Sequence, residues 1–302
     1  MKCLFIGICH IGAISTILKD IPSFTAIYND ILSYTIFSTS EEEMGNILEN
    51  IVPTCDLVLS QPVSDNYRNN NIFSTTSLRS KIKPGAVHLV IANCYFTGYD
   101  PIPFQITDNN GTITHLNNVS YFPSISLISI INKNLDQACI DWCNPSAHTT
   151  EEISFNYLSS INALKSREEK IFDSGIPIDI SISDYIEKNY QSKFLFHTYN
   201  HPTNELLFEL VKRILHKLGI PLSITKCHIS KELLGDITIP PPPSVYINSN
   251  MSFQYPLFSI NGISYTTREA MKIFIAIMAK SDVNLHNQWI SSIKYGRTKL
   301  HP

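Results

Sequence analysis

Four short segments of this 302-residue chain concentrate side chains able to bind or react. Gly7-Ile8-Cys9-His10-Ile11-Gly12 sets a thiol and an imidazole between two glycines. Ser60 to Arg68 carries Gln61, Asp65, Tyr67 and Arg68: an amide, a carboxylate, a phenol and a guanidinium. Asn93 to Pro101 includes Tyr99, and His197 to Thr203 includes the run Asn200-His201-Pro202-Thr203.

The first segment has the spacing of a dinucleotide-binding loop with cysteine in place of the central glycine. That glycine lets the backbone approach a pyrophosphate, and a side chain there obstructs it. The same side chain at a helix N-terminus lies where free N–H groups and the helix dipole favour a thiolate. Cys9 therefore reads as a reactive or ligand-touching thiol; simple packing is the competing reading. His201, just before a helix opened by Pro202 and Thr203, is placed to act as general base on a hydroxyl or thiol. The bland alternative is a loop histidine bonded to backbone, and His10 and His197 are weaker rivals. Arg68 could clamp a phosphate or carboxylate through two parallel hydrogen bonds, or simply close a surface ion pair.

These segments need elements to position them. Apolar runs at 3–6, 24–28, 56–59 and 87–91 predict four strands. Between them lie helical spacing over Ile11, Ile14 and Leu18, a capped start at Ser40-Glu41-Glu42-Glu43, and a short helix over 75–82. Such alternation predicts an α/β fold with a doubly wound, mostly parallel sheet in the N-terminal part. A hairpin signal at Asp108-Asn109-Asn110-Gly111 follows, and then a largely helical C-terminal part: helices over 124–143, 150–172, 183–190, 203–218 and 264–278. A fifth strand is expected at 194–196, with 197–202 as the loop after it. The expected organisation is an α/β lobe of residues 1–118 and a mainly helical lobe of residues 119–302, packed as one unit. In open α/β sheets ligands bind beyond the carboxyl ends of the strands, so the four segments are expected around one crevice.

Composition narrows the function. The net charge of -3, without a basic run, argues against nucleic acid and anionic membranes as partners. The apolar N-terminal stretch is interrupted by His10 and carries Gly7 and Gly12, which fits a strand and helix better than a leader; no other run predicts a membrane helix. Seven cysteines without a disulfide-like spacing suggest reduced thiols in a cytoplasm. Cys139, Cys143 and His148 could hold zinc, but a helix face of small apolar thiols is the better reading, so no metal is expected.

The ordered blocks carry a family likeness: a strand into Gly-x-Cys, Asp56 to Arg68, Phe96-Thr97-Gly98-Tyr99-Asp100-Pro101, Asn200-His201-Pro202-Thr203, and Ile239-Pro240-Pro241. Together they make the chain resemble the WcbI-type polysaccharide biosynthesis proteins, acetyltransferase candidates that bind coenzyme A. The family's first loop usually reads Gly-Asn-Cys-Gln; here Ile8 and His10 flank Cys9. The resemblance implies O-acyl transfer, acetyl foremost, from acyl-CoA to a saccharide hydroxyl in polysaccharide or capsule biosynthesis. It implies a site at Cys9 and at the histidine of the Asn-His-Pro block, His201. The two are expected to face each other across the crevice as the catalytic pair, with further contacts expected from Gly7, His10, Gln61, Asp65, Tyr67, Arg68, Tyr99, Asn200 and Thr203. Three other classes compete. An esterase of the SGNH type would need serine at Cys9 and a carboxylate three residues before His201, where Thr198 stands. A dinucleotide-dependent oxidoreductase is disfavoured by Cys9. A sugar- or nucleotide-binding protein without catalysis is kept open by the altered first loop.

Overall fold

The computed structural model describes residues 1–108, 115–169, 175–222 and 227–300. Contacts divide the chain into two compact units, neither continuous in sequence. The first comprises Met1–Cys94, Leu164–Ile186 and Asn204–Leu234; the second comprises Tyr95–Ala163, Glu187–Thr203 and Gly235–Pro302. The contacts therefore divide at Cys94 rather than at residue 118, and later segments return to the first unit.

The first unit is built on a four-stranded parallel sheet. Strands β1 (Lys2–Gly7), β2 (Asp30–Thr35), β3 (Leu57–Ser60) and β4 (Val87–Val90) lie in the order β2-β1-β3-β4. β1 and β3 are central and buried on both faces, which is why they read as unbroken apolar runs. Leu4, Ile6 and Val58 pack against Met44, Ile47, Val52 and Phe73 on one face. On the other, Phe5 meets Phe24 edge-on at 6.4 Å.

Between the strands run α1 (Cys9–Lys19), α2 (Pro22–Thr25), α3 (Glu41–Asn46) and α4 (Thr75–Ser80). Ser40 caps α3 by accepting from the Glu43 amide at 3.1 Å, as its sequence predicts. The second strand does not run over 24–28. Pro22 opens a helical turn there, and the rings of Phe24 and Tyr28, one turn apart, pack in a tilted pair at 4.9 Å. The strand follows at 30–35, at the sheet edge and only half-buried, so its pattern is weaker than that of the central strands.

From Tyr95 onward the elements are β5 (Phe104–Gln105), β6 (Tyr121–Phe122), α5 (Leu127–Ile131), α6 (Leu135–Cys143), α7 (Thr150–Glu169), α8 (Ser183–Asn189), β7 (Phe196–Thr198), β8 (His201–Pro202), α9 (Asn204–Lys217), β9 (Ile237–Thr238), α10 (Pro243–Asn248), β10 (Phe258–Ile260), β11 (Ile263–Tyr265), α11 (Thr267–Met278) and α12 (Val283–Leu300). The helix expected over 124–143 is broken at Lys133, whose φ is 58°, and Asn134 caps the restart. Residues 109–111 of the hairpin signal and 170–172 of the long helix lie outside the described residues. The fifth strand is not part of the parallel sheet. β7 pairs antiparallel with β8, Thr198 opposite His201 and Phe196 opposite Pro202, so 197–202 is a tight hairpin rather than a loop. The parallel sheet is extended instead by a single bridge from Ile91 to Ile180.

Glycines separate into tight and loose positions. A Cβ on Gly98 would stand 2.2 Å from the Phe96 ring, whereas one on Gly12, inside α1, would meet nothing within 4 Å. Gly98→Ala is expected to lower stability by about 1–3 kcal/mol, the usual cost of overpacking. Gly12→Ala is expected to raise it by about 0.5–1 kcal/mol through helix propensity. Urea unfolding of the two variants checks the opposite signs.

Candidate active site

The strand order 2-1-3-4 reverses direction between β1 and β3. Open α/β sheets bind ligands at such a switch point, beyond the strand ends, because the flanking loops diverge there. Cys9 follows β1 and Gln61 follows β3, so the sheet itself brings these two residues to one crevice.

Gln61 organises that crevice. Its Oε1 accepts the Ile8 N–H at 2.9 Å; its Nε2 lies 2.7 Å from Asn93 Oδ1 and 3.1 Å from His10 Nδ1. Asn93 Nδ2 in turn donates to the Pro62 carbonyl at 3.3 Å. Gly7 makes the arrangement possible, since a Cβ there would sit 2.7 Å from Gln61 Oε1 and 3.0 Å from its Cβ. Gly7 thus serves a protein side chain rather than a pyrophosphate. Gly12 does no close packing either, unlike the third glycine of a dinucleotide loop. Asn93 is not among the residues the sequence marks for the site; its amide acts here only through partners about 30 residues away in the chain, which no local pattern announces.

Cys9 opens α1, whose N-terminus has no side-chain cap. Its thiol is half-buried, and the backbone N–H groups of Cys9 and His10 are directed at the sulfur. Burial nonetheless outweighs those amides, which favour the thiolate, and pushes the thiol up to about 11. Burial thus opposes the thiolate that the helix N-terminus alone would favour, and the thiol is shifted toward its neutral form. His10 is fully buried against Gln61.

The other expected residues of the first unit have mixed fates. Asp65 is exposed. The Arg68 guanidinium donates to the Phe37 carbonyl at 2.8 Å and the Thr39 carbonyl at 3.4 Å, and lies over the rings of Tyr67 and Phe73. Two of its five donors hold the loop after β2, and Arg68 itself has a φ of 55°. A second polar contact of a histidine, Ser60 Oγ to His88 Nε2 at 2.8 Å, lies in the sheet; burial holds that imidazole down to about 4.

In the second unit, His201 begins β8, and its ring meets Tyr121 edge-on at 5.3 Å. Asn200 Oδ1 accepts from Tyr121 Oη at 2.7 Å and Thr198 Oγ1 at 3.0 Å. Thr198, standing where a hydrolase would carry its carboxylate, is occupied with Asn200. Thr203 is buried, its N–H bonded to the Leu195 carbonyl at 2.9 Å. Tyr99 Oη sits 2.8 Å from the carbonyls of Tyr190 and Lys193 and accepts from the Leu195 N–H, so it is an internal strut. His197 is another, with Nδ1 2.8 Å from Thr238 Oγ1. Residues 197–203 follow no strand of the parallel sheet, so sheet topology does not place them beside the Cys9 loop. His148 Nδ1 lies 2.9 Å from Ser244 Oγ, Cys143 is exposed, and no cluster of metal-ligating side chains occurs among the described residues.

The fold and site define a doubly wound α/β protein with a thiol at the switch point of its sheet. A family model for the polysaccharide biosynthesis enzyme WcbI matches residues 2–223, and the chain belongs to that family. A solved structure of WcbI superposes with a TM-score of 0.81 at 22% identity, over 99% of this chain and 97% of that one. That protein is described as a polysaccharide biosynthesis enzyme, in native form without a disulfide bond between coenzyme A and one of its cysteines. No protein of curated function matches the chain. Among the described residues no helix is long and apolar enough to cross a membrane.

Alkylation tests the state of the thiol. Followed at Cys9 by peptide mass spectrometry, the iodoacetamide rate should climb about tenfold per pH unit from neutrality toward about pH 11. A plateau near pH 7 would instead reveal a thiolate.

Proposed function

We propose that the chain transfers an acyl group, acetyl foremost, from coenzyme A to a saccharide hydroxyl. Membership of a polysaccharide biosynthesis family supports this reading, as does the coenzyme A named with the related structure. The observation that carries it is the Cys9 loop. A half-buried thiol at an uncapped helix N-terminus, braced by a fully engaged glutamine, suits the sulfur end of a thioester. With the Ile8 amide held by Gln61, a developing oxyanion would draw the first-turn amides of Cys9 and His10 away from the Cys9 sulfur.

The neutral thiol favours direct transfer over an acyl-cysteine intermediate. The acceptor hydroxyl oxygen attacks the thioester carbon, the C–S bond breaks, and coenzyme A leaves as its thiol. Cys9 orients the thioester. His201 is assigned the proton on chemical grounds: it takes it from the hydroxyl and returns it to the departing sulfur. Asn200 belongs to the same hairpin. Gly7 and Gln61 support Cys9, and any contact of Asp65, Tyr67, Arg68, Tyr99 or Thr203 with donor or acceptor is a secondary part of the proposal.

Brief incubation with acetyl-CoA, followed by intact-protein mass spectrometry, tests the route. The wild type should show no acetyl adduct. Cys9→Ala should keep much of its turnover, and His201→Ala should lose roughly 10²–10⁴-fold. An adduct on wild type that is absent from Cys9→Ala replaces direct transfer with a covalent route. Full activity in His201→Ala removes the histidine from the mechanism.

A further inference from the structure

We infer that Gln61 is a positioning residue that fixes His10 as a neutral imidazole carrying its proton on Nε2, and so withdraws His10 from proton transfer at Nδ1. Two backbone groups of fixed polarity flank the site. The Ile8 N–H only donates, so the atom it meets at 2.9 Å is the oxygen of Gln61. The Pro62 carbonyl only accepts, so the atom of Asn93 facing it at 3.3 Å is the amide nitrogen. Both carboxamides are thereby oriented from outside, without appeal to the histidine.

What remains follows by counting. A glutamine amide nitrogen carries two hydrogens. One goes to Asn93 Oδ1 at 2.7 Å, the other points at His10 Nδ1 at 3.1 Å. His10 Nδ1 must then offer its lone pair, and the neutral ring carries its proton on Nε2. Protonating Nδ1 would set N–H against N–H. Relief would require turning Gln61, which forfeits the Ile8 and Asn93 bonds together. His10 and Gln61 are both buried, so water does not readily replace the lost partners. The brace thus does two things at once: it holds the amide preceding Cys9, and it keeps the neighbouring imidazole neutral, with only an N–H to offer.

The inference deepens the proposed function, but it depends on that reading only for its catalytic consequence. Its test needs no turnover. The full chain labelled with ¹⁵N-histidine would be studied near pH 7 by long-range ¹H–¹⁵N correlation, the His10 ring being assigned by its loss in His10→Gln. The expected spectrum has Nδ1 unprotonated and Nε2 protonated. Gln61→Glu sharpens the test: a carboxylate still accepts the Ile8 N–H but cannot donate to Nδ1. It should move the proton onto Nδ1 or leave the ring doubly protonated. A wild-type ring with a proton on Nδ1 overturns the inference even if the variant does not fold, and so does a folded Gln61→Glu with an unchanged tautomer. The expected tautomer without any acyl transfer would uphold the inference and sink the proposed function; transfer with Nδ1 protonated would do the reverse.

Discussion

One carboxamide ties the end of β1 to the end of β3. Gln61 takes the Ile8 N–H on its oxygen and gives its hydrogens to Asn93 and His10. Everything local to the thiol depends on that. The loop before α1 has no side-chain cap, so without Gln61 the Ile8 amide would be left to solvent at a half-buried position. The brace needs Gly7, because a side chain there would occupy the space of the Gln61 amide. It also needs the parallel pairing of β1 with β3, Ile6 opposite Ser60, which brings the two loops level.

The constraint shapes the chemistry. With the Ile8 amide taken, the amides of Cys9 and His10 are the ones turned to the sulfur. They are too few to overcome burial, and the thiol stays protonated at neutral pH. A neutral thiol beside an imidazole restricted to donating is a poor nucleophilic couple but a well-defined place to seat a thioester. That is why the proposed mechanism leaves the acceptor's proton to a histidine other than His10.

The central sheet is legible in the sequence because β1 and β3 are buried on both faces, and an unbroken apolar run of only four to six residues is too short for a helix. β2 escapes for the opposite reason: it is a half-exposed edge, and the adjoining apolar run Phe24 to Tyr28 belongs to a proline-started turn. The α3 cap at Ser40 is readable, since capping is local. The hairpin of Phe196 to Pro202 is not, because its pairing spans only a few residues and carries no Asn-Gly type signal. At the site, the sequence marks Cys9, Gln61 and His10 as residues of interest. Residue types alone do not reveal that Gln61 faces inward to Ile8, His10 and Asn93, nor that burial reverses the expected shift of the thiol. Tyr99 and Arg68 show the same limit: each has a binding group's chemistry, and each spends it on the protein's own carbonyls.

Hydrogen exchange at the Ile8 amide measures the brace most directly, since that N–H belongs to no helix or strand and is held by Gln61 Oε1. In wild type it should exchange as slowly as the β1 amides, opening only with the sheet. In Gln61→Ala it should exchange faster by orders of magnitude while β1 stays protected. An Ile8 amide that exchanges as fast in wild type as in Gln61→Ala would contradict the account, because the loop carrying Cys9 would then be held by something other than Gln61.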